Sequence, residues 1–238
     1  MKKDIKWVRT LQQKKFRHES GCFVVEGRKG VEEGLRSNVE VHSVYTADPD
    51  WMQARADVML VTSREMEQMS SLSTPSPYLA VFRQREANPD FTVVPIVLVL
   101  DGIADPGNMG TIIRTADWFG ISAIVCTPDC VEWYNPKVVQ ATMGSIFRIQ
   151  LVGMGEEEIS KLLRDHNYHT IAADLGGTSL YGFDFNRRTA IVIGSESHGV
   201  RASMRSITDE FVTIPSFSDA ESLNASVAAA LFMSECRR

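Results

Sequence analysis

Thr189–Val200 reads TAIVIGSESHGV, and Phe211–Cys236 reads FVTIPSFSDAESLNASVAAALFMSEC. Each stretch opens on an apolar run, Ile191-Val192-Ile193 in the first and Phe211-Val212-Thr213-Ile214 in the second. Short runs without polar alternation are the pattern of parallel strands covered on both faces. Each run gives way at its carboxyl end to a loop of small and polar residues, and the second loop leads into an alanine-rich helix from about Asn224. A third run, Pro95-Ile96-Val97-Leu98-Val99-Leu100, ends in a comparable segment, DGIADPGNMGTIIRTADWFG. In open α/β sheets ligands bind beyond the carboxyl ends of the strands. The three loops are therefore expected to make one site.

Outward from these strands the chain alternates helix and strand throughout. After Leu100 the pattern predicts a tight turn at Pro106-Gly107-Asn108 and a helix from about Gly110 to Phe119, stopped by Gly120. A strand over Ser122–Cys126, a helix over Pro136–Ser145 and a strand over Ile149–Val152 follow. A helix opened by Glu156-Glu157-Glu158 comes next, its acids complementing the helix dipole. His169–Ala173 reads as a strand ending in a glycine loop, Asp174-Leu175-Gly176-Gly177. Before residue 84 lies a smaller α/β unit, with strands at Gly21–Gly27, Val39–Tyr45, Val58–Val61 and Tyr78–Arg83 and a helical turn at Pro49–Ala54. Residues 85–94, polar and holding Pro89, read as a linker. The expected domains are thus 1–84, carrying a basic arm, and 95–238.

The chain has 238 residues and is 44% hydrophobic, ample for one large or two modest cores. Its apolar runs fall short of the roughly 18 residues that a membrane span needs, and the basic start lacks an apolar signal core. A cytoplasmic protein with no membrane or DNA partner is expected. Cys22, Cys126, Cys130 and Cys236 are few and irregularly spaced, which fits reduced bystander thiols rather than a metal site. The net charge of −5 is unevenly spread. In residues 1–17, read as one helix, Lys2, Lys3, Lys6, Arg9, Lys14, Lys15 and Arg17 face only Asp4. That leaves +6 there and −11 over the rest. Such an arm suits a polyanion, or simply a solvated helix.

Several side chains in the loops carry chemical potential. Arg114, on the first turns of its helix, suits a phosphate grip, or a surface ion pair with Asp117 or Asp105. Glu196, between Gly194 and Gly199, can cap backbone N–H groups or orient a ligand. His198 is either a base or a surface histidine. Ser222 or Asn224 can cap the last helix. Phosphate-loop, dinucleotide-fingerprint, zinc and nucleophile-elbow patterns are missing.

Taken together the loops resemble the SpoU (TrmH) family of RNA ribose 2′-O-methyltransferases, in the SPOUT superfamily. Three ordered motifs carry the resemblance. They are Asn108-x-Gly110-x-x-x-Arg114 with Ala116 and Phe119-Gly120; Gly194-x-Glu196-x-x-Gly199; and Ile214-Pro215 followed by Ser222-Leu223-Asn224. Ser218 stands where the family usually has Gly. Residues 20–83 more loosely resemble the L30e-like substrate-binding domain that often precedes it. The resemblance implies an α/β fold with a parallel sheet and a deep trefoil knot, and a homodimer with its active site at the subunit contact. It implies S-adenosylmethionine as cofactor, with S-adenosylhomocysteine as product. The cofactor would be held by Ala173, Leu175, Gly176, Ile193, Gly194, Gly199, Ile214, Pro215, Ser222 and Leu223. Arg114, Asn108, Glu196, Ser222 and Asn224 would serve the transfer. The implied substrate is structured RNA, rRNA slightly ahead of tRNA. A SPOUT-like RNA-binding protein without turnover and an unrelated small-molecule α/β enzyme are the alternatives.

Overall fold

A computed structural model describes residues 2–53, 57–185, 187–219 and 221–238. Two compact units emerge. One takes residues 1–85 together with 132–148, and the other takes 86–131 and 149–238.

In the first unit α1 (Lys2–Thr10) and α2 (Lys14–Ser20) precede β1 (Cys22–Glu26), α3 (Arg28–Arg36) and β2 (Val41–Thr46). After these come α4 (Pro49–Gln53), β3 (Val58–Leu60), α5 (Ser63–Met69) and β4 (Tyr78–Arg83). The expected turn at Pro49–Ala54 is α4, with Ala54 outside the described residues. The sheet order is β1-β4-β2-β3, antiparallel except for the β2–β3 pair. Ile5, Val8 and Leu11 pack with Val24, Tyr45, Leu79 and Val81 in one core. Further aromatic packing sets Phe23 against Tyr134, with ring centroids 4.5 Å apart, and Phe82 against Phe147 at 4.9 Å.

The expected single helix over residues 2–17 is two helices, and Arg17 explains the break. Its guanidinium donates to the carbonyls of Leu11 at 2.8 Å and Gln12 at 2.9 Å and forms a two-pronged pair with Glu132. Those carbonyls are the ones a continuous helix would have spent on its own backbone. Arg17 is 2% exposed, so it leaves the basic arm: it is a structural cation, unavailable to a polyanion. Lys2, Lys3, Lys6, Arg9, Lys14 and Lys15 remain exposed.

The second unit begins with β5 (Ile96–Asp101), α6 (Pro106–Trp118) and β6 (Ala123–Cys126). The segment that joins the first unit holds α7 (Pro136–Thr142) and a 3₁₀ turn, Ser145–Phe147. The second unit resumes with β7 (Gln150–Gly153), α8 (Glu156–Asp165), β8 (His169–Ser179), β9 (Thr189–Gly194), α9 (Ala202–Arg205), β10 (Glu210–Thr213) and α10 (Ala225–Cys236). Six strands form one wholly parallel sheet in the order β10-β8-β9-β5-β6-β7. Val97, Val99, Val125 and Val192 pack with Ile159 and Leu163 of α8. Leu98, Leu100, Ile191 and Ile193, of the other parity, are equally buried, and α10 packs on α6 and β9. Both faces are covered, and this is why the strands read as unbroken apolar runs.

The expected linker is anchored at its far end. Phe91 and Val94 join the second unit's core, the Tyr168 hydroxyl donates to the Val94 carbonyl at 2.6 Å, and Arg188 donates to the Thr92 carbonyl at 2.8 Å.

Two expectations near the site change. Residues 106–108 are not a separate turn: α6 starts at Pro106, because Asp105 caps it by accepting from the Asn108 N–H at 2.8 Å and Pro106 fits the first helical position. Arg114 therefore stands in the third turn of α6, further along than in a helix starting at Gly110. Asp174–Gly177 is not a loop but part of β8, which runs on to Ser179 through a register shift against β10. Gly177 sits there at φ 137°, and a Cβ on it would overlap the Phe211 carbonyl. Only glycine fits that crossing.

Candidate active site

Asn108, at the start of α6, donates from Nδ2 to Glu196 Oε1 at 3.1 Å. Asn224 donates from its own Nδ2 to the same oxygen at 2.6 Å and to Asn108 Oδ1 at 2.9 Å. The Ala225 N–H completes the set on Glu196 Oε1 at 3.1 Å. One carboxylate oxygen thus ties together the segments that follow β5, β9 and β10. Asn224 is also the N-cap of α10, its Oδ1 accepting from the Ser226 and Val227 N–H groups, which decides between it and Ser222.

Beside this latch the middle of β8 and the carboxyl ends of β9 and β10 border a cavity of about 640 Å³. Ala173, Leu175, Ile193, Gly194, Gly199, Ile214, Pro215, Ser222 and Leu223 all line it, as does Glu196. Gly176, Asn108, Asn224 and Arg114 are not among the lining. Gly176 donates its N–H to Asp174 Oδ1 at 3.0 Å, and Arg114 is exposed on α6 with no ion pair among the described residues. The Gly194 backbone presses so closely on Gly199 that a Cβ would collide with it, and Ser195 and Gly199 pair across the turn. That contact folds the loop after β9 tightly enough to aim Glu196 at Asn108 and Asn224.

Two arginines at and behind the cavity are held in ion pairs. Arg205 lines it, forms an ion pair with Asp174 and lies over the Phe211 ring, 4.3 Å from the centroid. Burial raises the Asp174 carboxyl, but the Gly176 N–H and Arg205 outweigh it and hold that carboxyl below its ordinary range. Behind the loops, Asp101 at the end of β5 is 1% exposed and accepts from the Arg201 backbone N–H at 2.8 Å and from its Nε at 2.6 Å. Arg201 also reaches Asp129 at 3.2 Å and Glu156 at 3.1 Å. The sequence reading passed over these pairs; an Asp directly after an apolar strand, at Asp101 and again near Ala173, is the signal that could have found them. His198 lines the mouth, its Nδ1 2.7 Å from the Ser197 hydroxyl, with no carboxylate partner among the described residues to make it a base.

A parallel sheet whose strand ends carry a nucleoside-sized cavity, latched by two asparagines and a glutamate, defines a cofactor-dependent α/β enzyme. Comparison with known proteins gives the family. Residues 95–234 match the SpoU rRNA Methylase family and residues 2–80 the MRM3-like substrate binding domain. The chain is 28% identical over 232 residues to the 23S rRNA (guanosine(2553)-2'-O)-methyltransferase RlmP of Bacillus subtilis, covering 95% of this chain and 93% of that protein. A TrmH-family RNA methyltransferase structure from Porphyromonas gingivalis superposes with a TM-score of 0.86 at 33% identity, covering 97% and 95% of the two chains. The AdoMet-bound rRNA methyltransferase of Sinorhizobium meliloti does so with 0.89 at 27%, covering 98% and 93%. The chain belongs to the SpoU rRNA methylase family. Its activity is S-adenosylmethionine-dependent methylation of a ribose 2′-hydroxyl in RNA.

Proposed function

We propose that this chain methylates a guanosine ribose of 23S rRNA and does so as a homodimer. The observation that carries the reading is the Glu196 latch, which holds three sequence-distant loops around one cavity. The residues present fit the cofactor: about 640 Å³ suits a nucleoside of that size, and Leu175, Ile193, Ile214 and Leu223 give apolar walls among polar strand ends. Ala173, Gly194, Gly199, Pro215 and Ser222 would complete the cofactor site, with Gly176 supporting it through Asp174. Bound there, S-adenosylmethionine supplies a methyl group activated by a sulfonium.

The chain's own task is to hold the ribose oxygen in line while the O–CH3 bond forms, the S–CH3 bond breaks and the hydroxyl proton passes to solvent water. Positioning of that kind is worth several kcal/mol, on the order of 7 or more in favourable cases. Arg114 would grip the phosphate beside the target ribose and stabilise the developing alkoxide. It is no general base, because a guanidinium stays protonated. Asn108, Glu196 and Asn224 would fix the loops, and Ser222 would contact cofactor or nucleotide.

The place of Arg114 supports a dimer. It does not line the cavity of its own chain, and in a dimer it would face a second copy's cavity. Trp118, one turn further along α6 and 86% exposed, and half-exposed Val227 on α10 offer apolar surface for that contact. A trefoil knot is proposed on the same grounds: the chain passes from edge strand β10 back beside the loop after β9 to α10, which packs on α6. The L30e-like character of the first unit is supported by the substrate-binding match, and its exposed lysines suit RNA. No described helix is long and apolar enough to cross a membrane; a cytoplasmic site of action is proposed.

The test pairs calorimetry using S-adenosylhomocysteine with tritiated-methyl transfer to rRNA and tRNA transcripts, followed by ribose-methylation mapping in a deletion strain. Methyl incorporation into one rRNA guanosine is expected. Binding of cofactor and RNA without incorporation would favour a protein that has lost turnover, and incorporation into tRNA alone would overturn the substrate.

A further inference from the structure

Phe217 is 94% exposed, the most exposed large apolar side chain among the described residues, and it lines the cavity. Its loop is built rather than slack. Ser216 Oγ donates to the Ser218 carbonyl at 2.9 Å and accepts from the Ser218 N–H at 3.3 Å, so a hydroxyl turn brackets the phenylalanine. Four residues on, Glu221 is exposed, lines the same cavity and has no ion pair among the described residues. The other acidic groups of the lining are spent: Glu196 accepts three donors, and Asp174 holds Arg205, which is the cavity's only described lysine or arginine.

These facts are awkward for a site that must receive a polyanion. An unpaired carboxylate repels phosphate, and a bare aromatic ring is costly in water. Both become useful if a nucleobase comes to rest there. Unstacked RNA bases are held by aromatic faces and read by hydrogen bonds on their edges. A carboxylate offers acceptors alone. The Watson–Crick edges of adenine, cytosine and uracil each offer one donor beside acceptors, whereas guanine, beside its O6 acceptor, presents two adjacent donors, N1–H and an N2–H.

We infer that Phe217 and Glu221 form a guanine-reading lip, the ring stacking on the base of the methylated nucleotide and the carboxylate accepting from its N1–H and N2–H. This rests on the proposed activity and extends it to a specificity determinant. Both would act on recognition of the base and not on the transfer itself.

The experiment uses the full-length enzyme and an rRNA transcript with the mapped guanosine, or inosine in its place. Stacking on one side chain is worth about 1–3 kcal/mol, or roughly 5- to 150-fold. Phe217→Ala is expected to raise KM for RNA within that range while the Kd for S-adenosylhomocysteine stays within about twofold. Phe217→Trp, which keeps a stacking face, should preserve KM. Inosine lacks the N2 amino group, so the wild type should favour guanosine over it, and Glu221→Gln should bring that ratio toward one. Several results would overturn the lip alone. These are an unchanged KM in Phe217→Ala, a cofactor Kd that weakens in step with KM, a shift from dimer to monomer in sedimentation, or a guanosine preference that survives Glu221→Gln. A wild type that binds S-adenosylhomocysteine yet methylates no rRNA transcript overturns the proposed activity itself.

Discussion

Asn224 donates to Glu196 at 2.6 Å across 28 residues of chain, and the same amide group holds Asn108 at 2.9 Å. Neither bond is local, so each resists separation of two loops. Hydrogen bonds to a charged acceptor contribute about 1.5–3 kcal/mol each. Glu196→Ala should therefore weaken S-adenosylhomocysteine binding at least tenfold by loosening the loops after β5, β9 and β10 together. Glu196→Gln, which keeps one carbonyl acceptor, should lose less. Calorimetry reads both, and equal affinities in wild type and Glu196→Ala would remove the latch from cofactor binding.

Arg114 makes a sharper case because it stands outside its own cavity. Arg114→Ala should lower methyl transfer by about 10²–10³-fold, the scale for losing one donor at a developing charge, and leave cofactor Kd within twofold. Lysine keeps the charge without the planar fork and should recover only part. Mixing Arg114→Ala with Glu196→Ala protein adds a test of the dimer. Mixed dimers would hold one sound cavity facing one sound arginine. Recovered activity supports action across the subunit contact, and none at any mixing ratio counts against it.

What the sequence made legible depended on range. β5 and β9 could be read because Leu98 and Ile191 are buried on a sheet covered on both faces, and burial of that kind leaves an unbroken apolar run. The start of α6 was also written locally, in Asp105-Pro106, although the glycine beside them suggested a turn. The rest was set at a distance. Gly176-Gly177 looks like a loop until β10 lies alongside, and nothing near Thr178 announces that Val212 will pair with it. Arg17 looks like one more arm residue because its partner Glu132 lies 115 positions away. The loop motifs were legible, but which of their residues line the cavity required the bulge in β8 and the close approach of Gly194 to Gly199.

The two kinds of cation in residues 1–17 predict separable phenotypes. Lys2→Ala, Lys3→Ala and Lys6→Ala combined should lower the slope of log K against log salt by up to about 2 in RNA binding, at roughly 0.7 per contact, with thermal unfolding unchanged. Arg17→Met should leave the slope intact and destabilise the first unit by about 3–5 kcal/mol, the cost of stranding one member of a buried pair. Urea unfolding followed by tryptophan fluorescence reads it, since Trp7, Trp51 and Trp133 lie in that unit. An altered salt slope in folded Arg17→Met would return that arginine to the binding face.

Cys130 offers a pH-dependent readout next to β5. Hydrogen bonding from the Cys126 thiol lowers the Cys130 thiol to about 7 against the opposing effect of burial, while burial raises Cys236 to about 11. The thiolate is the reactive form, so alkylation of Cys130 should climb through pH 7 and level off by about pH 8. Cys236 should stay inert until far more alkaline conditions, and Cys126, whose proton is donated to Cys130, should not react in the native protein. Iodoacetamide labelling at stepped pH, followed by peptide mass spectrometry, gives the three profiles separately. Cys126→Ala removes the donor and should move the Cys130 profile toward higher pH; an unmoved profile would show that some other group sets its acidity.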